Sequence, residues 1–135
     1  MRSLKKLFFI VFGIVVSSTV LASTAVEQLL SEYQAQGASQ FSAESGKTFW
    51  NQKFYSSSAN QQRSCATCHT TNVKQYGKHA TTGKEIKPLA PSVMSKRLTN
   101  PKKIRKWFRR NCNWTLGREC TPQEKGNVLM YLKDQ

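Results

Sequence analysis

The sequence predicts an all-α fold, and three observations support this prediction. Apolar residues recur three and four positions apart in several segments, as they do along one face of a helix. Residues typical of helix starts precede three of these segments. No segment alternates between apolar and polar residues in the way that a half-buried strand does.

Residues 1–22 have the pattern of a secretory signal peptide. Arg2, Lys5 and Lys6 form a positive start, and residues 7–16 are an apolar run that is too short for a membrane span. We expect cleavage after Ala22, which leaves one domain of residues 23–135 with a formal charge of +11. The alternative is an uncleaved anchor. With no second hydrophobic stretch, the mature chain is expected to be soluble.

Two helices are predicted in the first half of the domain. The first covers residues 25–36, and its apolar face consists of Val26, Leu29, Leu30 and Tyr33. Ser42 is a suitable N-cap for the second, whose packing side consists of Gly46, Phe49, Trp50 and Phe54. The polar stretch 56–64 is expected to be a loop.

Two further helices are predicted in the second half. One begins at Asn100 and Pro101, because proline at the first helical position lacks only an N–H that would be unpaired anyway. Its apolar stripe consists of Ile104, Trp107 and Phe108. Thr121 and Glu124 form a capping box for the last helix, which runs to about Lys133 with Val128, Leu129 and Leu132 facing inward. Residues 81–92 are expected to be a loop.

Between the second and third helices, residues 65–69 (CATCH) have the pattern of a c-type haem attachment site. Two thiols three positions apart can add across the two vinyl groups of one haem, and the following His offers an imidazole nitrogen to the iron. We therefore predict one covalent haem c on Cys65 and Cys68, with His69 as the proximal ligand. Because this haem is attached outside the bacterial cytoplasm, the expected location is the periplasm.

A redox dithiol or half of a zinc site can also show two cysteines at this spacing. The zinc interpretation lacks a second compact pair, since Cys112 and Cys120 are eight positions apart. The thioredoxin-like interpretation lacks strands. Helices on both sides of the haem motif and a helix at the end of the chain form the arrangement of a class I cytochrome c.

Chemistry alone does not decide which residue binds the iron opposite His69. Met94 follows a proline-bearing loop, roughly where an electron-carrier cytochrome places its methionine, although it could equally be a methionine packed on the porphyrin. His79 would need a short loop to wrap around the haem edge and is more simply an exposed loop residue. Asn111 or Asn113, beside the second cysteine pair, is the third choice. On this basis Met94 would be preferred.

The later part of the chain resembles the sphaeroides haem protein (SHP) family, which are high-spin class I cytochromes c. The segments that carry the resemblance are residues 82–86 (TGKEI), 88–92 (PLAPS), 106–107 (KW), 110–113 (RNCN), 117–122 (GRECTP) and 124–125 (EK). The combination of RNCN with GRECTP is far more specific than the haem motif, which many unrelated cytochromes share. The resemblance covers most of the mature chain and is densest from Thr82 onward.

The resemblance implies that Asn111 is the distal ligand, because the family ligand is an asparagine just before the first disulfide cysteine. It also implies a disulfide between Cys112 and Cys120, which is the simplest pairing in an exported protein whose other two cysteines hold haem. That bridge would either stabilise the turn before the last helix or limit how freely a loop carrying Asn111 moves from the iron. Met94 falls where the family has no ligand.

The identity of the distal ligand separates two functions. An amide oxygen is a hard, weak donor that prefers ferric iron, so reduction should loosen Asn111 and open a position for O₂, NO or CO. A Met94 thioether would hold the iron closed, as in a plain electron carrier. An enzyme with slow oxygen or nitric oxide chemistry is a third possibility, although His79 alone would be a poor acid–base site.

A basic stretch lies in the third predicted helix. Its members are Lys102, Lys103, Arg105, Lys106, Arg109 and Arg110. They are either a solvated face or a surface that steers an acidic redox partner. The resemblance implies a dihaem cytochrome c as that partner, and nucleic acid is not expected outside the cytoplasm. Arg97, Lys84 and Trp107 are candidates to bind the haem propionates.

Overall fold

The structure is a computed structural model that describes residues 24–56 and 60–135. Its helices are α1 (Ala25–Ala35), α2 (Ala43–Asn51), α3 (Ala66–His69), α4 (Pro101–Leu116) and α5 (Pro122–Lys133). Its strands are β1 (Phe54–Ser56), β2 (Gln61–Arg63), β3 (Gly77–Lys78) and β4 (Glu85–Ile86). The predicted signal peptide, residues 1–22, lies outside the described residues.

The all-α prediction and the predicted helix starts are confirmed. The hydroxyl of Ser42 and the side-chain oxygen of Asn100 accept N-cap hydrogen bonds at α2 and α4. Thr121 and Glu124 form the complete capping box of α5, which satisfies backbone donors that have no partner inside the helix. Thr24 caps α1 in the same way, together with Glu27.

The expectation that no segment forms a strand is wrong. β1 pairs with β2 and β3 with β4, each as a short antiparallel ladder. β2 lies inside the predicted loop 56–64, and β4 lies inside the predicted loop 81–92. Strands of two or three residues are too short to show a period of two, so the alternation used to recognise strands is absent.

Two predicted apolar faces also need correction. α2 ends at Asn51, so Phe54 belongs to β1, although its ring still packs 5.3 Å from that of Phe49. On α4, Ile104 is buried and Phe108 is half-buried, but Trp107 is 45% exposed. The stripe on α4 is therefore narrower than the spacing suggested, because Trp107 lies at the edge of the inward face.

The core forms where α5 packs between the other helices. Val128 and Leu132 of α5 join a cluster with Trp50 of α2, whereas Leu129 joins a second cluster with Leu29 of α1 and Ile104 of α4. Each α5 residue predicted to face inward is buried. The terminal helix thus connects both halves of the hydrophobic core.

α2 and α5 cross in direct backbone contact. A Cβ atom added at Gly46 would lie 2.0 Å from the backbone oxygen of Asn127, so only glycine permits this approach. The backbone N–H of Ser42 donates to Asn127 Oδ1 at 2.9 Å, which holds the start of α2 against α5. This crossing supports the segment that leads from α2 to the CATCH motif.

α4 continues through Asn111 and ends at Gly117, whose positive φ of 72° gives the left-handed conformation that ends many helices. Asn111 is therefore on a helix, and the expectation that it lies on a loop is wrong. None of the helices in the described part of the chain is both long and apolar enough to cross a membrane.

Candidate haem site

The CATCH motif forms one helical turn. The N–H groups of Cys68 and His69 both donate to the carbonyl of Cys65, and the turn ends at Thr70, which has a φ of 64°. Residues three and four apart lie on the same side of a helix, so both thiols and the imidazole are near neighbours. Neither Cys65 nor Cys68 takes part in a disulfide.

Strand β3 packs directly on this turn. A Cβ atom at Gly77 would lie 2.0 Å from the carbonyl oxygen of Cys68, so glycine is required for the contact. The backbone N–H of Ala80 points at Cys68 Sγ, with a distance of 3.4 Å between nitrogen and sulfur. The hairpin of β3 and β4 therefore holds the second cysteine in place.

The surroundings of His69 keep its imidazole neutral. Burial, with a smaller contribution from the nearby charge of Arg97, lowers the pKa of His69 to about 4. The ring lies 5.6 Å from that of Trp50, whose Nε1–H donates to the carbonyl of Thr70 at 3.1 Å. A neutral imidazole with an available lone pair is the form that binds a metal.

Burial also raises the pKa of Cys65 to about 12. This thiol is therefore protonated at neutral pH and is a poor metal ligand, because metals bind the thiolate. Within the described residues, no group of three or more His, Cys, Asp or Glu side chains is placed to hold a metal ion. Cys65 and Cys68 are two free thiols on one helical turn, the arrangement that attachment to the two vinyl groups of a haem requires.

Met94 lies on a turn that backbone hydrogen bonds connect to the segment after His69. The N–H groups of Leu89 and Ala90 both donate to the carbonyl of Val73, four residues beyond His69. The N–H of Met94 in turn donates to Ala90 at 3.0 Å, and its side chain is half-buried. The backbone around Met94 is therefore held to the segment that follows His69, and a role of Met94 as an iron ligand stays a prediction.

Asn111 occupies the inward face of α4. Its neighbours on that face are Ile104, Phe108 and Thr115, spaced by four, three and four positions. Ile104 and Thr115 are buried and Phe108 is half-buried, whereas Asn111 is exposed. A polar amide is therefore presented from the middle of a face that otherwise packs on the protein.

Asn113 and His79 have other partners. Asn113 lies about 200° around α4 from Asn111, and its amide donates to the carbonyl of Arg109 at 2.6 Å. His79 Nδ1 accepts hydrogen bonds from the N–H groups of Thr81 and Thr82. In neutral His79 the proton is then on Nε2, so neither ring nitrogen offers a lone pair to iron.

The structure pairs Cys112 with Cys120 in a disulfide, with a sulfur–sulfur distance of 1.97 Å. Cys112 follows Asn111 on α4, and Cys120 immediately precedes Thr121, the N-cap of α5. The bridge therefore joins the end of α4 that carries Asn111 to the start of the terminal helix.

The three residues proposed for the propionates lie in different settings. Arg97 uses Nε and Nη2 to donate to the carbonyls of Pro88 and Lys87, at 2.8 and 2.9 Å. Trp107 is exposed, with the Arg110 guanidinium 5.2 Å from its ring centre. Lys84 is exposed beside the hairpin. Their role in propionate binding stays a prediction.

Sequence reasoning missed one contact near the motif, between Arg63 and Trp114. The Arg63 guanidinium carbon lies 3.8 Å from the centre of the Trp114 ring, and Nη1 donates to the carbonyl of Trp114 at 3.1 Å. One signal was available, because Arg63 is the only charged side chain between Lys53 and Lys74 when histidine is neutral. A single charge immediately before a cofactor motif is informative.

Comparisons with known proteins agree on one family. A family model described as "Domain of unknown function (DUF1924)" matches residues 36–132. "Cytochrome c''" of Methylophilus methylotrophus is 41% identical over 134 residues, covering 94% of this chain and 92% of that protein. "Cytochrome c-type protein SHP" of Cereibacter sphaeroides is 36% identical over 131 residues, covering 95% of this chain and 98% of that protein.

The solved structures of these two proteins have the same fold. "Structure of oxidized SHP, an oxygen binding cytochrome c" matches with a TM-score of 0.74 and 37% identity over 84% of this chain and all of that chain. The solution structure of Methylophilus methylotrophus cytochrome c'', described as giving insights into "the structural basis of haem-ligand detachment", matches with a TM-score of 0.71 and 40% identity, over 82% of this chain and 93% of that chain. The chain therefore belongs to the DUF1924 family that includes these relatives, the SHP family of monohaem c-type cytochromes, whose cofactor is one covalently bound haem c.

Proposed function

We propose that this protein is a periplasmic ligand-binding cytochrome whose distal ligand leaves on reduction. Cys65 and Cys68 hold the haem, His69 binds the iron from the proximal side and Asn111 binds it from the distal side. The haem, when bound, supplies a one-electron couple and a coordination position for O₂, NO or CO. The single observation that carries the proposal is the exposed amide of Asn111 in the middle of the inward face of α4.

The lability of Asn111 follows from the chemistry of its side chain. A neutral amide oxygen is a hard donor, and ferric iron accepts it better than the softer ferrous iron does. Asn111 therefore binds in the oxidised protein and is released when an electron arrives. One of the two relatives is described as oxygen binding and the other in terms of haem-ligand detachment, which supports the same behaviour.

Absorption spectroscopy of the haem-loaded protein tests the proposed function. We expect the reduced protein to be high-spin and to bind CO at once, because Asn111 no longer holds the distal position. A low-spin spectrum in both oxidation states, with a methionine-to-iron charge-transfer band when oxidised and no CO binding, would instead identify an electron carrier.

Replacing Met94 with Leu tests the electron-carrier alternative directly. We expect the oxidised and reduced spectra of the variant to match those of the unmodified protein, because Asn111, and not Met94, is the proposed distal ligand. Leucine has a similar volume, so the expected loss of stability is below about 1.5 kcal/mol. A marked loss of low-spin character would show that Met94 is the ligand.

The electron donor is proposed to be an acidic cytochrome, of the dihaem class that the family resemblance implies. All six basic residues of α4 are exposed, and Arg105 alone among them forms an ion pair, with Glu32 at 2.6 Å. The others have no carboxylate partner among the described residues. Exposed Trp107 lies among them and adds apolar contact area to a positively charged surface.

Charge reversal on this surface should slow reduction by the partner. We expect Lys102→Glu with Lys106→Glu to lower the rate about tenfold at low ionic strength, because charge complementarity mainly raises association rates. The control is Lys47→Glu with Lys53→Glu, which changes the net charge equally on exposed positions elsewhere. Stopped-flow reduction at low and high salt measures the effect, and equal slowing by both pairs would locate the docking surface elsewhere.

A further inference from the structure

Arg63 is the only charged residue that is buried among the described residues, with 7% exposure. Its charge is not matched by a carboxylate in the described part of the chain. Nη1 donates to the carbonyl of Trp114, and the guanidinium lies over the Trp114 ring. With the Gln61 amide oriented to satisfy both of its atoms, Gln61 oxygen accepts from Nε and Nη2 of Arg63 at 3.2 Å. Neutral acceptors and an aromatic face thus satisfy this cation.

The contact between Arg63 and Trp114 lies close in sequence to both the CATCH motif and Asn111. Arg63 is two residues before Cys65, and Trp114 is three residues after Asn111. Within the described residues, the bond from Arg63 to Trp114 is the only hydrogen bond between residues 61–69 and α4. The segment that offers the proximal ligand and the helix that offers the distal ligand are therefore joined here.

The contact also suits the end of α4 electrostatically. The last turn of a helix carries partial negative charge from its unpaired carbonyls, and cations are stabilising there. α4 has no basic residue in its own last turn. Arg63 supplies that cation from β2, so the charge contributes to the position of α4 and not only to the stability of β2.

We propose that Arg63, through its contact with Trp114, is a positioning residue that keeps Asn111 within reach of the iron. This proposal rests on the proposed function of Asn111. The cation–π contact and the hydrogen bond hold the last turns of α4 against the segment before Cys65. Weakening them lets that part of α4 move away, which favours release of Asn111 in the oxidised protein.

The test is Arg63→Lys, which keeps the charge but loses the planar stacking and the fixed fork of donors. We expect cyanide to bind the ferric protein about tenfold faster, equivalent to about 1.4 kcal/mol, because cyanide can enter only when Asn111 has left. CO binding to the ferrous protein should be unchanged, since Asn111 is already released there. If Arg63→Lys does not yield haem-loaded protein, Trp114→Leu removes the ring and is judged by the same rates.

Two comparisons separate positioning from a general structural effect. Arg118→Gln removes another arginine, which forms an ion pair with Glu124 on α5. This variant should leave the cyanide rate unchanged. In an Asn111→Val background, Arg63→Lys should no longer change that rate, because the ligand it positions is gone. Equal acceleration in both backgrounds, or no acceleration in either, would overturn the proposal.

The design also distinguishes this proposal from the proposed function. If Asn111→Val alone leaves the ferric spectrum unchanged, Asn111 is not the ligand. Both the proposed function and the positioning role of Arg63 are then wrong. If Asn111→Val changes the spectrum but Arg63→Lys leaves the cyanide rate unchanged, only the positioning role is wrong.

Discussion

Replacing Asn111 with Val is expected to leave the ferric iron without its protein ligand on the distal side. Valine has no donor atom, so the oxidised spectrum should become that of a five-coordinate or water-bound haem. Cyanide should then bind the ferric protein at least about tenfold faster, because no protein ligand must first dissociate. CO binding to the ferrous protein should change little, since Asn111 is released on reduction in the unmodified protein.

The reduction potential gives a second readout of the same substitution. As the proposed ligand, Asn111 would stabilise the ferric state selectively, so its loss should raise the potential by about 59 mV for each tenfold of lost ferric preference. This direction is opposite to that expected for losing a thioether ligand, which prefers ferrous iron. Potentiometric titration measures the shift, and a lowered potential would be inconsistent with an asparagine ligand.

Asn113→Val is the matched control for this experiment. Asn113 has the same side chain on the same helix, but it faces the other side and donates to the carbonyl of Arg109. We expect its ferric spectrum and cyanide rate to equal those of the unmodified protein. If Asn113→Val changes the spectrum and Asn111→Val does not, the ligand has been assigned to the wrong asparagine.

The helices were predictable because their signals are local. Ser42, Asn100 and Thr121 accept hydrogen bonds from backbone N–H groups within three residues, so sequence spacing alone identifies them. The CATCH motif is equally local, since one helical turn brings its thiols and imidazole together. The short strands were not predictable, because their stability depends on a partner strand and not on their own pattern.

The position of Asn111 on a helix is a feature of the site that the sequence did not predict. The resemblance implies that Asn111 is a ligand on a loop, whereas the structure places it on α4. The helix α4 ends at Leu116, where Gly117 is the C-cap. The buried Thr115 continues the inward face of α4 beyond Asn111. The contact between Arg63 and Trp114 spans 51 positions, which no local pattern can reveal.

Removing the disulfide is expected to have the largest effect on stability. Cys112→Ser with Cys120→Ser opens a nine-residue loop, which should lower the free energy of unfolding by about 2.6 kcal/mol on the chain-entropy model. Chemical denaturation of the ferric protein measures this loss. The bridge is the covalent link between the end of α4 and the start of α5, so its removal should also let α4 move more freely around Asn111.

The kinetic effect of the same double variant separates stabilisation from positioning. A bridge that only stabilises the chain would leave the ferric cyanide rate unchanged while lowering the unfolding free energy. We expect both to change, because Cys112 is adjacent to Asn111 and the bridge holds this turn of α4 to α5. Arg118→Gln is again the control, since it removes a non-covalent contact between the turn after α4 and α5 and should affect stability by less than about 1 kcal/mol. A double variant that is less stable but binds cyanide at the original rate would restrict the bridge to a structural role.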